Sequence, residues 1–270
     1  MSSLTSSLLP AATPPKAGIP LLYLPGMDGT GTLFYRQAEK LAADFCIRSL
    51  SLNGSNLDSW VALSQYVEFY LEEGSPAILC GESFGACLAL QVAVRRPDLC
   101  AGLILVNPAS SWRRGSWGWL ARLLLPFVPE PFYHLASGQG LGWLAELSRI
   151  APVDQQKLQQ AVAQVPLATA AHRLALLSEF DVDRLPLEAL QMPTLLVAGS
   201  HDRLLPSRAE VERLAHRLPN AAVAVAPASG HACLLEQDLN LSVLMEQHPM
   251  LRSKSLRAKS SRRPADVAEW

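Results

Sequence analysis

The chain is poor in the side chains that build disulfide scaffolds, metal centres and nucleic-acid surfaces. Its 270 residues hold five cysteines: Cys46, Cys80, Cys87, Cys100 and Cys233. The number is odd and no two form a CxxC pair, which argues against a disulfide framework or a zinc site and fits a reducing compartment. There is no HExxH motif and no cluster of metal ligands, so no metal is expected. Charged residues make up only 17% of the chain and the formal net charge is −1, so no global basic field attracts nucleic acid. No apolar run reaches the roughly 18 residues that a spanning helix needs. The N-terminal MSSLTSSLLPAATPPKAGIP has neither a basic start nor a continuous apolar core, so it does not read as a secretory signal. A cytoplasmic protein is expected.

Apolar residues are abundant, at 49%, and they come in short runs separated by helix-like segments. Strands are expected at 19–24, 45–52, 77–80, 101–106, 194–198 and 221–226. Helices are expected at 32–43, 57–73, 84–96, 207–218 and 233–246. Such alternation predicts an α/β fold with a mostly parallel sheet and helices on both faces. The alternation breaks between about Pro108 and Pro193, where the pattern is helical throughout and rich in tryptophan. The organisation expected is a flexible lead over 1–17, a core formed by 18–110 and 193–250, a helical lid over 111–192, and a tail over 251–270. The tail carries Arg252, Lys254, Arg257, Lys259, Arg262 and Arg263 against Asp266 and Glu269. It reads as a solvated, disordered end, and weak peripheral contact with an anionic membrane is its secondary reading.

In open α/β sheets functional groups collect at the carboxyl ends of strands. Ser83 follows one strand, inside Gly81-Glu82-Ser83-Phe84-Gly85, with a glycine two positions to each side. Two glycines around one serine suggest a sharp strand-to-helix turn that exposes the hydroxyl, a nucleophile elbow; the bland alternative is a helix N-cap. Asp202 and His231 follow two later strands, which gives the chain order serine, acid, histidine. A serine hydroxyl needs a base to take its proton, histidine suits that work near neutral pH, and a carboxylate fixes the imidazole tautomer. For Asp202 the bland alternative is a cap on the helix that begins near Pro206. Asp181 and Asp183 are weaker candidates because they precede the strand. His201 reads as structural, and His134, His172, His216 and His248 as surface or lid residues. Two backbone amides should stabilise the oxyanion: that of Phe84, and that of Met27 in the loop after the first strand. Asp28 in that loop reads as an Asx turn. The glycines at 26, 29 and 31 run GxxGxG rather than GxGxxG, and no P-loop lysine follows, so no cofactor is expected.

Pro25-Gly26-Met27, the pentapeptide around Ser83, Asp202 with Pro206, and Gly230-His231 together resemble the α/β-hydrolase superfamily over roughly residues 18–250. Within it, LPGMDGTG at 24–31, GESFGACLAL at 81–90 and LILVNPAS at 103–110 are similar to the hydrolase part of plastid and cyanobacterial phytyl ester synthases. That resemblance implies transfer of fatty acyl groups to lipid alcohols. Its members commonly carry a further acyltransferase region, which this chain is expected to lack, so plain hydrolysis is the first expectation. The reading is a serine hydrolase of small-molecule acyl esters or thioesters with a hydrophobic acyl chain. Trp112, Trp117 and Trp119 of the lid are its expected pocket residues. The alternatives are a cofactor-free hydrolase of small esters or carbon–carbon bonds, and a non-catalytic binding protein on the same fold. Oligomeric state is left open.

Overall fold

The computed structural model describes residues 19–53, 58–72, 76–115, 140–248 and 251. The lead over 1–17, Trp117, Trp119, His134 and the tail from 252 onward lie outside the described residues. Strands β1 (Ile19–Leu24), β2 (Phe45–Ser49), β3 (Ala77–Glu82), β4 (Cys100–Val106), β5 (Thr194–Gly199) and β6 (Ala221–Ala226) form one sheet in the order β2-β1-β3-β4-β5-β6. Every adjacent pair is parallel. The order reverses between β1 and β3, and the crevice at such a switch point is where an open α/β sheet receives a ligand.

The apolar strands split their side chains between the two faces by simple alternation. Leu22, Leu24, Leu79, Leu103, Leu105 and Leu196 enter one apolar cluster, together with α2 (Trp60–Glu72) and α3 (Phe84–Arg95). Leu21, Tyr23, Ile78, Ile104, Val106, Leu195 and Val197 enter the other, which α1 (Tyr35–Leu41) covers. Burial on both faces is what a continuous apolar strand requires, and each buried Leu, Ile or Val contributes about 1.5–3 kcal/mol.

The described part of the insertion is helical. It comprises a single turn α4 (Leu141–Leu144), α5 (Pro152–Ala163) and α6 (Leu167–Glu179). Pro152 stands in the first turn of α5, where its missing N–H costs nothing. A third apolar cluster of Leu141, Ala145, Ile150 and Leu158 with Ala232 and Leu235 ties this segment to the core. The chain then continues through α7 (Ser207–Ala215) and α8 (Leu241–Gln247). No helix among the described residues is long and apolar enough to cross a membrane.

One expected element is divided. The helix expected over 233–246 is a 3-10 turn at Cys233–Leu235 followed by the separate α8. Glu236 turns its carboxylate back to the Gly230 amide, and the Gln237 amide donates to the Arg149 carbonyl at 3.0 Å. The chain therefore leaves the helical path, and Asn240 restarts it by accepting from the Ser242 amide. The remaining elements match their expected ranges to within a few residues at each end.

Candidate active site

β3 ends at Glu82 and α3 begins at Phe84, so one residue makes the turn. Ser83 does so at φ 53° and ψ −111°, a region that non-glycine residues rarely adopt and that costs about 1–3 kcal/mol. The flanking glycines permit it. A Cβ at Gly85 would run into the Leu24 and Pro25 carbonyls, and one at Gly81 into the Gly85 carbonyl. The Ser83 amide donates to the Val106 carbonyl at 2.9 Å. The Ser83 side chain makes no capping bond to its own helix. Its Oγ instead lies 2.9 Å from His231 Nε2.

His231 and Asp202 arrive from the ends of β6 and β5. The imidazole is buried, and its Nδ1 lies 2.7 Å from Asp202 Oδ2. Asp202 Oδ1 accepts from the Leu204 and Leu205 amides at 2.9 and 3.0 Å, while Ser207 donates its hydroxyl to Oδ2. Burial works against the charge on Asp202. His231, the Ser207 hydroxyl and the Leu205 amide outweigh it and hold the carboxyl below the usual aspartate range. Asp202 thus tethers the turn ahead of α7 and faces His231 at the same time. Asp181 and Asp183 lie elsewhere, on Arg113 and on Arg114 and Arg213.

Two side chains that sequence reasoning missed hold the His231 loop. Asn107, at φ 44° after β4, donates Nδ2 to the His231 carbonyl at 2.6 Å and accepts from the Gly199 amide at 2.8 Å. It links the ends of β4 and β5 to the loop after β6. Glu236, fully buried, accepts from the Gly230 amide at 2.8 Å and from the Ser229 hydroxyl at 2.6 Å. Arg149 of the insertion donates to the same carboxylate at 2.7 Å.

The loop after β1 carries Met27. Its turn is closed by the Gly29 amide on the Gly26 carbonyl at 3.1 Å. Asp28 accepts from the Thr30 amide at 2.9 Å and from the Thr30 hydroxyl, which is the expected Asx turn. Among the described residues the amides of Met27 and Phe84 donate to no protein acceptor. The Phe84 ring stacks on Trp60, whose indole Nε1 donates to the Leu176 carbonyl in α6 at 2.9 Å.

Glu82 lies directly before Ser83 with its side chain half-buried. Burial pushes its pKa from the ordinary 4.5 up to about 7, against the lowering effect of Tyr23, which donates its hydroxyl at 2.6 Å, and of His231. Trp112 packs against the larger apolar cluster, and its buried indole nitrogen has no partner among the described residues. His201 is exposed. His248, expected as a surface or lid residue, is instead buried beside α8 and places Nε2 3.3 Å from the Asn220 carbonyl. No group of three or more ligating side chains that could hold a metal occurs among the described residues.

Comparison with known proteins bears on the family and the fold. The family model described as serine aminopeptidase, S33, matches residues 58–238. Phytyl ester synthase 1, chloroplastic, of Arabidopsis thaliana is 31% identical over 84% of this chain, which covers 36% of that protein. The chain thus spans about a third of the length of the curated relatives it matches first. A pimeloyl-[acyl-carrier protein] methyl ester esterase of Aromatoleum aromaticum is 31% identical over 63% of this chain and 72% of its own length. Among solved structures, a thermophilic esterase from Thermogutta terrifontis shares the fold with a TM-score of 0.65 at 22% identity, over 91% of this chain and 90% of its own.

Proposed function

The chain belongs to the family described as serine aminopeptidase, S33, within the α/β-hydrolases, and from that premise we propose that it cleaves acyl esters through an acyl-enzyme on Ser83. The observation that carries this reading is the relay of Ser83 Oγ to His231 Nε2 at 2.9 Å and His231 Nδ1 to Asp202 at 2.7 Å. His231 takes the hydroxyl proton as Oγ attacks the ester carbonyl carbon. The Met27 and Phe84 amides receive the oxyanion. His231 then returns the proton to the departing alkoxide, which leaves the acyl group on Ser83. Water, with its proton passing to His231, releases the acid and restores the serine. Asp202 stays ionised and holds the imidazole tautomer throughout. The complete relay speaks against a purely binding role.

We place a hydrophobic acyl chain beneath the insertion, with Trp112 at its edge. The methyl ester esterase and phytyl ester synthase likenesses both support an acyl ester as substrate. The test is fluorophosphonate labelling, followed by p-nitrophenyl esters from acetate to dodecanoate. Ser83→Ala should abolish both labelling and turnover. Each two-carbon step should raise kcat/KM by about tenfold until the pocket is full, since a buried methylene contributes about 0.8 kcal/mol. A trend that is flat or falls with length would rule out the apolar pocket.

The phytyl ester synthase likeness also favours a second reading, in which an alcohol replaces water at the deacylation step. With a labelled acyl donor in detergent, added phytol should divert part of the label from free acid to a new ester. Free acid alone at every phytol concentration would leave plain hydrolysis.

A further inference from the structure

Arg173 occupies an unusual place. It lies on the buried stripe of α6 with Ala170 and Leu177, and it is 5% exposed. Its guanidinium reaches out of the insertion to the loop after β1. Nη1 donates to the Met27 carbonyl at 2.5 Å; Nη2 donates to the Leu52 carbonyl at 2.9 Å and to Asn53 Oδ1 at 3.2 Å. The Leu52 amide in turn donates to the Gly29 carbonyl at 2.7 Å, so the segment after β2 and the loop after β1 are bound into one unit. Gly29 has φ +66°, and a Cβ there would lie 2.7 Å from the Arg173 Cζ. The absence of a side chain at residue 29 is therefore what admits the guanidinium.

We propose that Arg173 is a positioning residue for acyl transfer: from the insertion it fixes the Met27 peptide so that the Met27 amide points at the developing oxyanion. The inference rests on the function proposed above. Met27 has a carbonyl on one side of its Cα and the amide that matters on the other. Rotation about either backbone bond of Met27 changes the angle between them. A charged donor on the carbonyl, itself held by two further acceptors, removes that freedom before substrate arrives. Preorganised donors of this kind act mainly in the transition state. Arg173 should therefore change kcat and leave substrate binding nearly untouched.

The test compares Arg173→Met and Arg173→Lys with the unaltered protein and with Ser83→Ala. kcat and KM are measured on p-nitrophenyl butyrate, together with inhibition by a trifluoromethyl ketone, which forms the tetrahedral adduct reversibly. Arg173→Met should lower kcat by about 10- to 100-fold, a fraction of the 10²–10³ that loss of one oxyanion donor costs. Ketone affinity should fall by a similar factor while KM stays within about twofold. Guanidinium ion at millimolar concentration should restore part of kcat. Arg173→Lys, which keeps the charge and can reach one carbonyl, should fall between the two and supplies the result if Arg173→Met does not fold. Unchanged kcat in a folded variant would overturn the proposal. So would a fall in kcat with unchanged ketone affinity and no response to guanidinium, because that pattern belongs to a purely structural residue. If Ser83→Ala keeps its labelling and turnover, the hydrolase reading itself has failed and the positioning role falls with it.

Discussion

At the scale of single residues the site depends on a few side chains that each serve two partners. Asp202 accepts two backbone amides with one oxygen and faces His231 with the other. Asp202→Asn keeps the shape but presents a neutral amide to the imidazole and favours the wrong tautomer. Turnover on p-nitrophenyl butyrate should drop by about 10⁴-fold. Asp181→Asn and Asp183→Asn, on arginines away from the imidazole, should stay within about twofold. Glu82 predicts a different signature. Its pKa rises from 4.5 to about 7 on folding because burial disfavours the charge. Between those pH values the folded state holds a proton that the unfolded state has released. Stability is therefore lost as pH rises from about 4.5 to about 7, and the deficit, on the order of 3 kcal/mol, is complete above that range. Glu82→Gln can still accept from the Tyr23 hydroxyl and carries no charge. Thermal unfolding should show its Tm gaining on the unaltered protein between pH 5 and pH 8. Parallel Tm curves across that range would mean that Glu82 is not protonated in the folded state.

At the scale of elements the same logic applies to loops. The segment after β6 is held at the Gly230 amide and the Ser229 hydroxyl by Glu236, and Glu236 is met by Arg149 of the insertion. Glu236→Gln replaces one acceptor with a donor among three donors. Stability should fall by about 3–5 kcal/mol, the usual result of breaking a buried pair, and kcat should fall with it as His231 loses its register with Ser83. Denaturant unfolding beside initial rates would check both; a loss of stability at constant kcat would separate the loop from catalysis. The four inner strands were readable because each is a short apolar run buried on both faces, the edge strands β2 and β6 because they too are short runs rich in apolar residues though only partly buried, and the elbow because glycines had to flank Ser83. The meeting of Asp202 and His231 with Ser83 was readable because groups at the ends of parallel strands gather at one edge of the sheet. Asn107 and Glu236 were not, since the backbone partners of Asn107 lie 92 to 124 residues away and Glu236 answers both a loop 6 residues back and Arg149, 87 residues away, which no local pattern announces. A trace of Arg173 was present: a cation stands at a core position of an amphipathic helix. Asp154, buried on α5 with Leu158 and paired with Arg36 and Tyr35 of α1, repeats that sign. A charge inside an apolar stripe is a polar contact whose partner only the tertiary fold reveals.

At the scale of the whole molecule, the sheet carries the candidate catalytic groups at its strand ends and the insertion meets the loops that hold them. Ser83 and Met27 come from the switch point between β1 and β3, and Asp202 and His231 from the two strands beyond β4. Arg149 and Arg173 are among the contacts by which the insertion meets this assembly, beside the Ala232 amide on the Leu144 carbonyl and the third apolar cluster. It leaves the sheet just after β4 and returns just before β5, and its two ends are ion-paired, Arg113 on Asp181 and Arg114 on Asp183. Entry and exit therefore stand within one side chain's reach of each other. In engineering terms, the two ion pairs close a neck, and a segment grafted between them should leave the spacing of β4 and β5 unchanged. The native segment also carries the two arginines, which sets the terms of exchange. A graft that keeps a cation where Arg149 and Arg173 reach should alter acyl-length preference at nearly constant kcat. A graft lacking them should bind a new ester and fail to turn it over. Selectivity and speed should then follow different residues of the grafted piece, and a library of grafts scored separately for binding and turnover should see the two vary independently.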